Sequence, residues 1–386
     1  MEPITSYFWQ RGAQGQLADA LNGVELTIDG RGPEPGEVFK NTGLAKTLRL
    51  IAEKGKAAFY QGAIAEAIVA IVTEAGGCLT MQDLAAHTST WEVPISIVYR
   101  GVRIWECPPN GQGLVVLMAL NMLENFDLSK FTAKKIHYQI EALRLAFADC
   151  RYFVSDPAFC PIPLAELLSR EYAKERVKFI HPDRAITYLP IGIPAGKDTV
   201  YFCVVDNDGN ACSFINSNYM GFGTGIVPRG WGFSLQNRGY GFSLDPKDPN
   251  RLEPEKRPYH TIIPGMATYE QDQALYAAFG VMGGPMQPQG HVQVISAMLD
   301  EGLDPQTALE RPRFCIDIEK EGTIQLEEGM PAEICTMIQN TGHATRMVTG
   351  MERVIFGRGQ IIHCDQKTGI NCGGSDPRAD GCVRSL

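Results

Sequence analysis

Residues 198–210 of this chain read DTVYFCVVDNDGN, a run typical of a β-strand and the tight turn that follows it. The β-branched and aromatic residues favour a strand over 199–206. The Asp-Gly pair at 208–209 then favours a hairpin turn, because these residues accept the positive φ that short turns need. A second strand is predicted over 211–216, so the middle of the chain is an antiparallel hairpin headed by Thr199.

Helices are predicted mainly before this hairpin, and strands mainly after it. The apolar periodicity predicts helices over 44–54, 64–74, 113–123, 133–152, 292–299 and 332–339, and a further helix that begins at Asp304. The β-rich runs and the turn residues predict hairpins over 95–106 and 354–364. They also predict strands over 261–268 and 274–281. The first 40 residues, rich in glycine and proline, are predicted to be loop or extended chain. This order predicts an α+β fold whose sheets are covered by helices.

The composition excludes several classes of protein. Of the 386 residues, 44% are apolar and 20% are charged, which is enough to build a large core and excludes a disordered chain. The net charge of −9 argues against nucleic-acid or anionic-membrane partners. No run of apolar residues is long enough to predict a transmembrane helix, and no signal peptide is visible at Met1. The localisation is therefore unknown, and cytoplasmic if the start is genuine.

No pattern predicts a metal or a cofactor. The 11 cysteines are scattered without zinc-ligand spacing and are predicted to be buried, reduced thiols. The glycine-rich run at 221–225 does not lie between a strand and a convincing helix, so a dinucleotide fingerprint is rejected. His137 and Glu141 lie one helical turn apart, and we interpret them as a partly solvated pair rather than a catalytic one.

A series of motifs surrounds the hairpin in a fixed order. They are FYQG at 59–62, LT at 79–80 with DL at 83–84, PP at 108–109, LENF at 123–126, FGTGIV at 222–227, KRP at 256–258, GG at 283–284, PRF at 312–314 and SDPR at 375–378. Together with the hairpin, they resemble the γ-glutamyltransferase (glutathione hydrolase) family of N-terminal-nucleophile hydrolases. The resemblance runs from about residue 40 to the end of the chain.

The resemblance implies a fold and a processing step. The fold is a four-layer α/β/β/α sandwich, and the chain is cleaved between Asp198 and Thr199. Residues 1–198 would form a mostly helical, large-subunit-like segment, and residues 199–386 a small-subunit-like segment that carries the nucleophile. The two fragments would stay paired. The chain resembles a member of the family that is truncated at its N-terminus.

The chemistry implied for Thr199 agrees with its residue type. A threonine hydroxyl is a weak nucleophile and needs a nearby base. Chain cleavage would free the α-amino group of Thr199, whose pKa is about 8 rather than above 10. The hydroxyl would attack an amide carbonyl to form an acyl-enzyme, which water or an amine then resolves. From the residue alone, an ordinary strand threonine is the alternative.

The resemblance also implies roles for other residues. Gly283 and Gly284 match the oxyanion hole, with a helix-entry turn as the alternative. Ser217 lies where the family has a second threonine that bonds the nucleophile. His260 and Thr261 lie where two serines help to hold the carboxylate of the donor.

The chain departs from the family pattern where the α-ammonium of a γ-glutamyl donor is held. Arg238 and Gly241 occupy the positions of acidic and amide partners, and Tyr219 replaces an asparagine. An ammonium that faced Arg238 would be repelled. Glutaryl amides lack this ammonium, so a glutaryl or cephalosporin-type acylase on the same fold is a second hypothesis. A third is a catalytically silent, truncated homologue that acts as a binding protein.

Overall fold

A computed structural model of the chain describes residues 1–186, 198–318 and 322–385. These residues form two units. Unit 1 consists of Met1–Trp91 and Asn218–Arg238, and unit 2 of Glu92–Ser217 and Gly239–Leu386. The predicted division at Thr199 separates cleavage fragments rather than folding units, and it stays a prediction.

Unit 1 is built mainly from helices. They are α1 (Pro3–Gly12), α2 (Thr42–Lys54), α3 (Lys56–Tyr60), α4 (Ala63–Glu74) and α5 (Met81–Ala86), with a π-turn at Ala13–Leu17 and a 3₁₀ turn at Gly23–Leu26. Helix α5 begins at a capping box, in which the Thr80 side chain and Asp83 satisfy each other's backbone N–H groups. The prediction that residues 1–40 are loop or extended chain is therefore wrong, since α1 and both short turns lie there. Pro3 starts α1 at a position where its missing N–H costs nothing.

The helices of unit 2 begin after residue 112. They are α6 (Gly113–Leu123), α7 (Ala133–Phe153), α8 (Leu164–Leu167), α9 (Arg170–Val177), α10 (Met286–Glu301), α11 (Pro305–Glu310) and α12 (Ala332–Asn340). Asp304 caps α11 through its carboxylate, as its position before Pro305 predicts.

The strands are described in the same order. They are β1 (Ile95–Tyr99), β2 (Val102–Glu106), β3 (Asp198–Val205), β4 (Ala211–Tyr219), β5 (Gly265–Tyr269), β6 (Leu275–Met282), β7 (Phe314–Asp317), β8 (Thr323–Glu327), β9 (Thr345–Val348), β10 (Arg358–Asp365) and β11 (Ile370–Ser375). The hairpin predicted over 354–364 is misplaced, because Gly350–Phe356 forms a 3₁₀ turn and β10 pairs with β11 instead. The strand predicted from Thr261 begins only at Gly265.

A six-stranded antiparallel sheet in the order β1-β2-β5-β6-β10-β11 organises unit 2. Helices α6 and α10 pack on one face of the sheet, and β3 packs across β6 and β10 on the other. Strand β6 is therefore buried at every position after Leu275, as a strand covered on both faces must be. A smaller sheet, β7-β8-β9, adds to the same unit. These layers confirm the predicted α+β class.

The β3–β4 hairpin, which carries Thr199, has two different faces. Thr199 and Tyr201 are buried, whereas Val200, Phe202 and Val204 are exposed. This alternation follows from the two-residue period of a strand. The Tyr201 ring lies against Gly280 of β6, where a Cβ atom would be 2.5 Å from the ring carbons. The lack of a side chain at Gly280 thus lets β3 lie close to the large sheet.

Judged by length and composition alone, the helical stretch Lys56–Glu74 is long and apolar enough to cross a membrane. The sequence analysis did not predict a candidate transmembrane helix at this position. Buried core helices meet the same criterion. Gly62 interrupts the stretch between α3 and α4, and Ile64 and Ile68 of α4 pack with Trp231 in a core cluster of unit 1. This packing accounts for the buried side chains of α4, although only 28% of the apolar stretch is buried.

The 11 cysteines are all free thiols, as predicted. Their predicted burial is only partly correct. Cys150 and Cys315 are buried, but Cys78, Cys212 and Cys382 are exposed.

The contact between Gly280 and Tyr201 predicts the effect of adding one methyl group. Gly280→Ala should lower the free energy of unfolding by about 1–3 kcal/mol, because the new Cβ forces the Tyr201 ring to move. Gly15→Ala is the control, since no atom lies within 4 Å of its added Cβ, and because Gly15 lies in a helical turn the change should leave stability unchanged or raise it by up to about 1 kcal/mol. Urea unfolding followed by fluorescence measures both. Equal stability of the two variants would show that β3 can move away from β6 without cost.

Candidate active site

Thr199 lies near the start of β3 with 3% of its surface exposed. Its Oγ1 donates a hydrogen bond of 3.1 Å to Oγ of Ser217 on β4. The hairpin turn makes this contact possible: the Asp206 carboxylate accepts from the backbone N–H groups of Asp208 and Asn210 and so closes the loop. Two hydroxyl groups that are 18 positions apart in sequence are thereby held together.

The structure describes the predicted cleavage site from Asp198 onward but not the residues before it. The backbone of Asp198 begins β3, and Thr199 is described in full. Residues 187–197, which precede the predicted cut, lie outside the described residues. Cleavage between Asp198 and Thr199 stays a prediction.

Gly283 and Gly284 connect β6 to α10. Their φ angles are 140° and 59°, a region that favours glycine, and this explains the residue type at both positions. Their carbonyl oxygens accept from the N–H groups of Met286 and Gln287 in the first turn of the helix. The pair is thus a helix-entry turn by geometry. That geometry is compatible with an oxyanion hole, since glycine lets a substrate approach the backbone closely.

The predicted carboxylate-binding residues lie in the same unit. The backbone of His260 pairs with Asn110 and Gln112, and its Nδ1 accepts from the N–H of Ile262 at 3.3 Å. Thr261 is buried, and its carbonyl oxygen accepts from Nε2 of Gln112. His260 lines a groove of about 360 Å³, whose walls include Pro108, Asn110, Phe214, Arg257 and Ile262.

The predicted ammonium-site residues divide between the units. Arg238 and Tyr219 belong to unit 1, where the Arg238 guanidinium carbon lies 4.3 Å from the centre of the Tyr219 ring. Both side chains are buried, and burial lowers the pKa of Arg238 to about 10. Tyr219 has a positive φ of 81°, which is rare for a tyrosine. Gly241 belongs to unit 2, where its carbonyl oxygen accepts from Nδ2 of Asn250 at 2.7 Å.

A buried Glu–His pair lies beside β6, and the sequence analysis missed it. Nδ1 of His291 is 2.7 Å from Oε1 of Glu106, and both side chains are fully buried. The backbone N–H of Val281 donates to Nε2 of His291 at 3.1 Å, so Nδ1 carries the proton and donates to the carboxylate. Burial raises the pKa of Glu106. Through the N–H of Val281, the pair anchors β6 two residues before Gly283. The sequence analysis could not find the pair, because residues 106 and 291 lie far apart and share no local motif.

Known proteins resemble this chain over nearly its whole length. The sequence profile described as gamma-glutamyltranspeptidase matches residues 3–386. The glutathione hydrolase-like YwrD proenzyme of Bacillus subtilis is 39% identical over 368 residues, covering 93% of this chain and 68% of that protein. The oxamate amidohydrolase proenzyme of Klebsiella pneumoniae is 30% identical over 361 residues, covering 92% and 67%. The chain thus spans about two thirds of the length of these relatives.

A solved structure agrees with these matches. The cephalosporin acylase of Bacillus halodurans is 43% identical and superposes with a TM-score of 0.92, covering 100% of this chain and 71% of that one.

A second polar cluster joins α7 to the segment that follows α12. His137, Glu141 and His343 bring ligand-type atoms within 4.8 Å of one another, as metal ligands do. Each of these atoms already has a protein partner. Nε2 of His137 donates to the carbonyl of His181, so its Nδ1 accepts from Nε2 of His343 at 2.8 Å.

Glu141 completes this cluster. Its carboxylate accepts from Arg144 at 3.1 Å and from the N–H of Ile186 at 2.7 Å. We therefore interpret the cluster as a neutral His–His pair beside an ion pair. The predicted partly solvated pairing of His137 with Glu141 is wrong, because both side chains are buried and each bonds elsewhere.

This cluster predicts how stability depends on pH. Burial lowers the pKa of His343 to about 3, with Arg144 adding to the effect, and burial also lowers the pKa of His137. The unfolded chain therefore binds more protons below pH ~6.5, and stability should fall as the pH drops from there towards 3. His343→Gln should weaken this pH dependence of stability. His87→Gln, at an exposed histidine, is the control and should leave the pH dependence unchanged. Melting temperatures between pH 7.5 and 4 measure it, and identical pH profiles for the wild type and His343→Gln would contradict it.

Proposed function

The chain belongs to the gamma-glutamyltranspeptidase family, and we propose that it is a self-processing threonine amidohydrolase or acyltransferase that cleaves γ-glutamyl-type amides. Its relatives are hydrolases and acylases, several of which are named as proenzymes. The resemblance found in the sequence is thereby confirmed at the level of the family. The substrate and the processing step belong to the proposal.

The hydrogen bond between Thr199 and Ser217 is the observation that carries this proposal. It holds the Thr199 hydroxyl in one orientation on the buried face of β3, next to the Ser217 hydroxyl, which can donate to Oγ1 once the Thr199 proton has been transferred. Orientation of this kind is a large part of what an enzyme supplies to a weak nucleophile. After cleavage, the α-amino group of Thr199 would lie on the same residue and accept the hydroxyl proton.

The proposed reaction then has two halves. In the first, Oγ1 of Thr199 bonds to the amide carbon, and the backbone N–H groups of Gly283 and Gly284 stabilise the oxyanion. The amine leaves with the proton held by the α-amino group, which yields an ester of Thr199. In the second, water attacks the ester to release the acid, or an acceptor amine attacks it to form a new amide.

Two features support glutaryl amides as an alternative class of donor. Arg238 lies over the Tyr219 ring, and a guanidinium can bind a carboxylate but cannot accept a hydrogen bond from an ammonium. The 43%-identical cephalosporin acylase is the second feature. A glutaryl amide differs from a γ-glutamyl amide only by the missing α-ammonium, so the two classes can be compared directly.

The processing step predicts two bands for the purified wild-type protein, corresponding to residues 1–198 and 199–386. Thr199→Ala should remain a single chain, because the hydroxyl that starts cleavage is gone, and Thr199→Ser should still be cleaved. Thr224→Ala, at an exposed threonine, serves as the control and should be processed normally. Gel electrophoresis and N-terminal sequencing are the measurements. A folded wild-type protein that is never cleaved and has no amidase activity would favour the binding-protein hypothesis.

The donor hypothesis predicts that kcat/KM for glutaryl-p-nitroanilide lies within about tenfold of that for the γ-glutamyl compound, a difference of about 1.4 kcal/mol. Arg238→Gln combined with Gly241→Asp should shift the preference towards the γ-glutamyl donor, because it removes a cation and adds an ammonium partner.

Arg229→Gln is the matched control, since it removes an exposed arginine of the same unit and should leave the ratio unchanged. A wild-type preference of about a hundredfold or more for the γ-glutamyl donor, about 2.7 kcal/mol, would contradict the hypothesis.

A further inference from the structure

We infer that Gln112 is a positioning residue that holds the glycine pair 283–284 and the Thr261 segment in one fixed arrangement. This inference rests on the proposed function, in which those two segments bind the oxyanion and the donor. Gln112 itself touches no reacting atom in this scheme. It acts through the backbone groups that it binds.

A single side-chain amide makes both connections. Nε2 of Gln112 donates to the carbonyl oxygen of Thr261 at 2.7 Å and to that of Gly284 at 2.9 Å. Its Oε1 accepts from the hydroxyl of Tyr259 at 3.3 Å. Since the side chain is fully buried, no solvent replaces these bonds if they are lost. Both N–H groups of the amide are used, and each binds a different segment.

The backbone of Gln112 is itself held firmly. Its N–H donates to the carbonyl of His260 at 3.0 Å, and its carbonyl accepts from the N–H of Val115 in the first turn of α6. The side chain thus projects from a helix start that is packed in the core of unit 2. A rigid base of this kind allows a flexible side chain to fix other groups.

Gly284 needs such a restraint more than most residues do. Glycine has wide freedom in φ and ψ, and Gly283 precedes it with a positive φ of its own. The peptide group that follows Gly284 ends at Pro285, which has no N–H to anchor it. The carbonyl oxygen of Gly284 is therefore the hydrogen-bonding atom of that group. It accepts from Gln112 and from the N–H of Gln287 at 3.0 Å.

A second glutamine reinforces the same arrangement. Oε1 of the fully buried Gln287 accepts from the N–H of Ile263 at 3.1 Å. The segment that contains His260 and Thr261 is thus connected to the helix start that follows Gly284 by two amide side chains from different elements. These connections would keep the distance between the donor-binding residues and the oxyanion donors constant through the reaction.

Gln112→Glu is the test, because it keeps the shape of the side chain and removes both donor groups. The expected result is a fall in kcat of about tenfold to a hundredfold with a much smaller change in KM, since a misdirected oxyanion donor weakens transition-state binding most. The assay uses γ-glutamyl- and glutaryl-p-nitroanilide on processed protein.

Gln293→Glu is the matched control. Gln293 is also buried, and its Nε2 donates to the carbonyl oxygens of Gln289 and Phe314, both at 3.0 Å. The control therefore loses the same kind of bonds in the same unit, but to carbonyl oxygens other than those of Thr261 and Gly284. The melting temperature should fall by a similar amount in both variants, whereas kcat should fall only at Gln112. An equal loss of kcat in the two variants would overturn the inference.

Tyr259→Phe is a second variant in case Gln112→Glu does not fold. It removes the hydroxyl that orients the Gln112 amide and leaves the amide in place, so kcat should fall by a few-fold. An unchanged kcat in Tyr259→Phe, when Gln112→Glu does not fold, would also overturn the inference.

Hydrogen–deuterium exchange separates this inference from the proposed function. Gln112→Glu should speed backbone exchange at 259–263 relative to Gln293→Glu, whether or not the protein has amidase activity. A processed wild-type protein without activity on either anilide would refute the proposed function alone. Unchanged exchange at 259–263 would refute the role of Gln112 alone.

Discussion

The burial of strand β6 on both faces is the constraint on which the rest of unit 2 depends. Helix α10 covers one face, and β3, the strand that carries Thr199, covers the other. Because β6 lies between them, its amino acids must be apolar or small, and Gly280 is the smallest. The same strand leads into Gly283 and Gly284. The burial of one strand therefore constrains both the strand that carries Thr199, the proposed nucleophile, and the start of the glycine turn proposed to bind the oxyanion.

Local sequence patterns were sufficient where each element carries its own signal. The Asp-Gly turn identifies the β3–β4 hairpin, and the apolar run at Gly113–Leu123 identifies α6 with correct bounds. Patterns failed where long-range packing decides the structure. Helix α1 lies in a region whose glycine and proline content favours loop, and Trp9 of that helix bonds to the carbonyl of Leu26. Burial of His137 depends on His343, which lies 206 positions away.

The candidate site was predictable to a similar extent. The ordered motifs led to Thr199, Ser217 and the glycine pair, because family resemblance carries information that no single spacing holds. They did not lead to Gln112 or to the Glu106–His291 pair. These residues act through buried hydrogen bonds between distant segments, and nothing in the neighbouring sequence marks an amide or an imidazole as a bridge. Among the motifs that carry the family resemblance, the Pro-Pro pair at 108–109 lies nearest to Gln112 in the sequence, and it gives no indication of the role of this side chain.

The alternation of β3 has a practical consequence for engineering. Thr199 and Tyr201 face the large sheet, while Val200, Phe202 and Val204 form an apolar outer face with Phe214. The Phe202 and Phe214 rings stack on that face with centres 4.8 Å apart. Exposed apolar strands promote aggregation. Polar replacements at Val200 or Val204 therefore offer a way to improve solubility and expression yield, while the side chains on the opposite face of the same strand keep their surroundings.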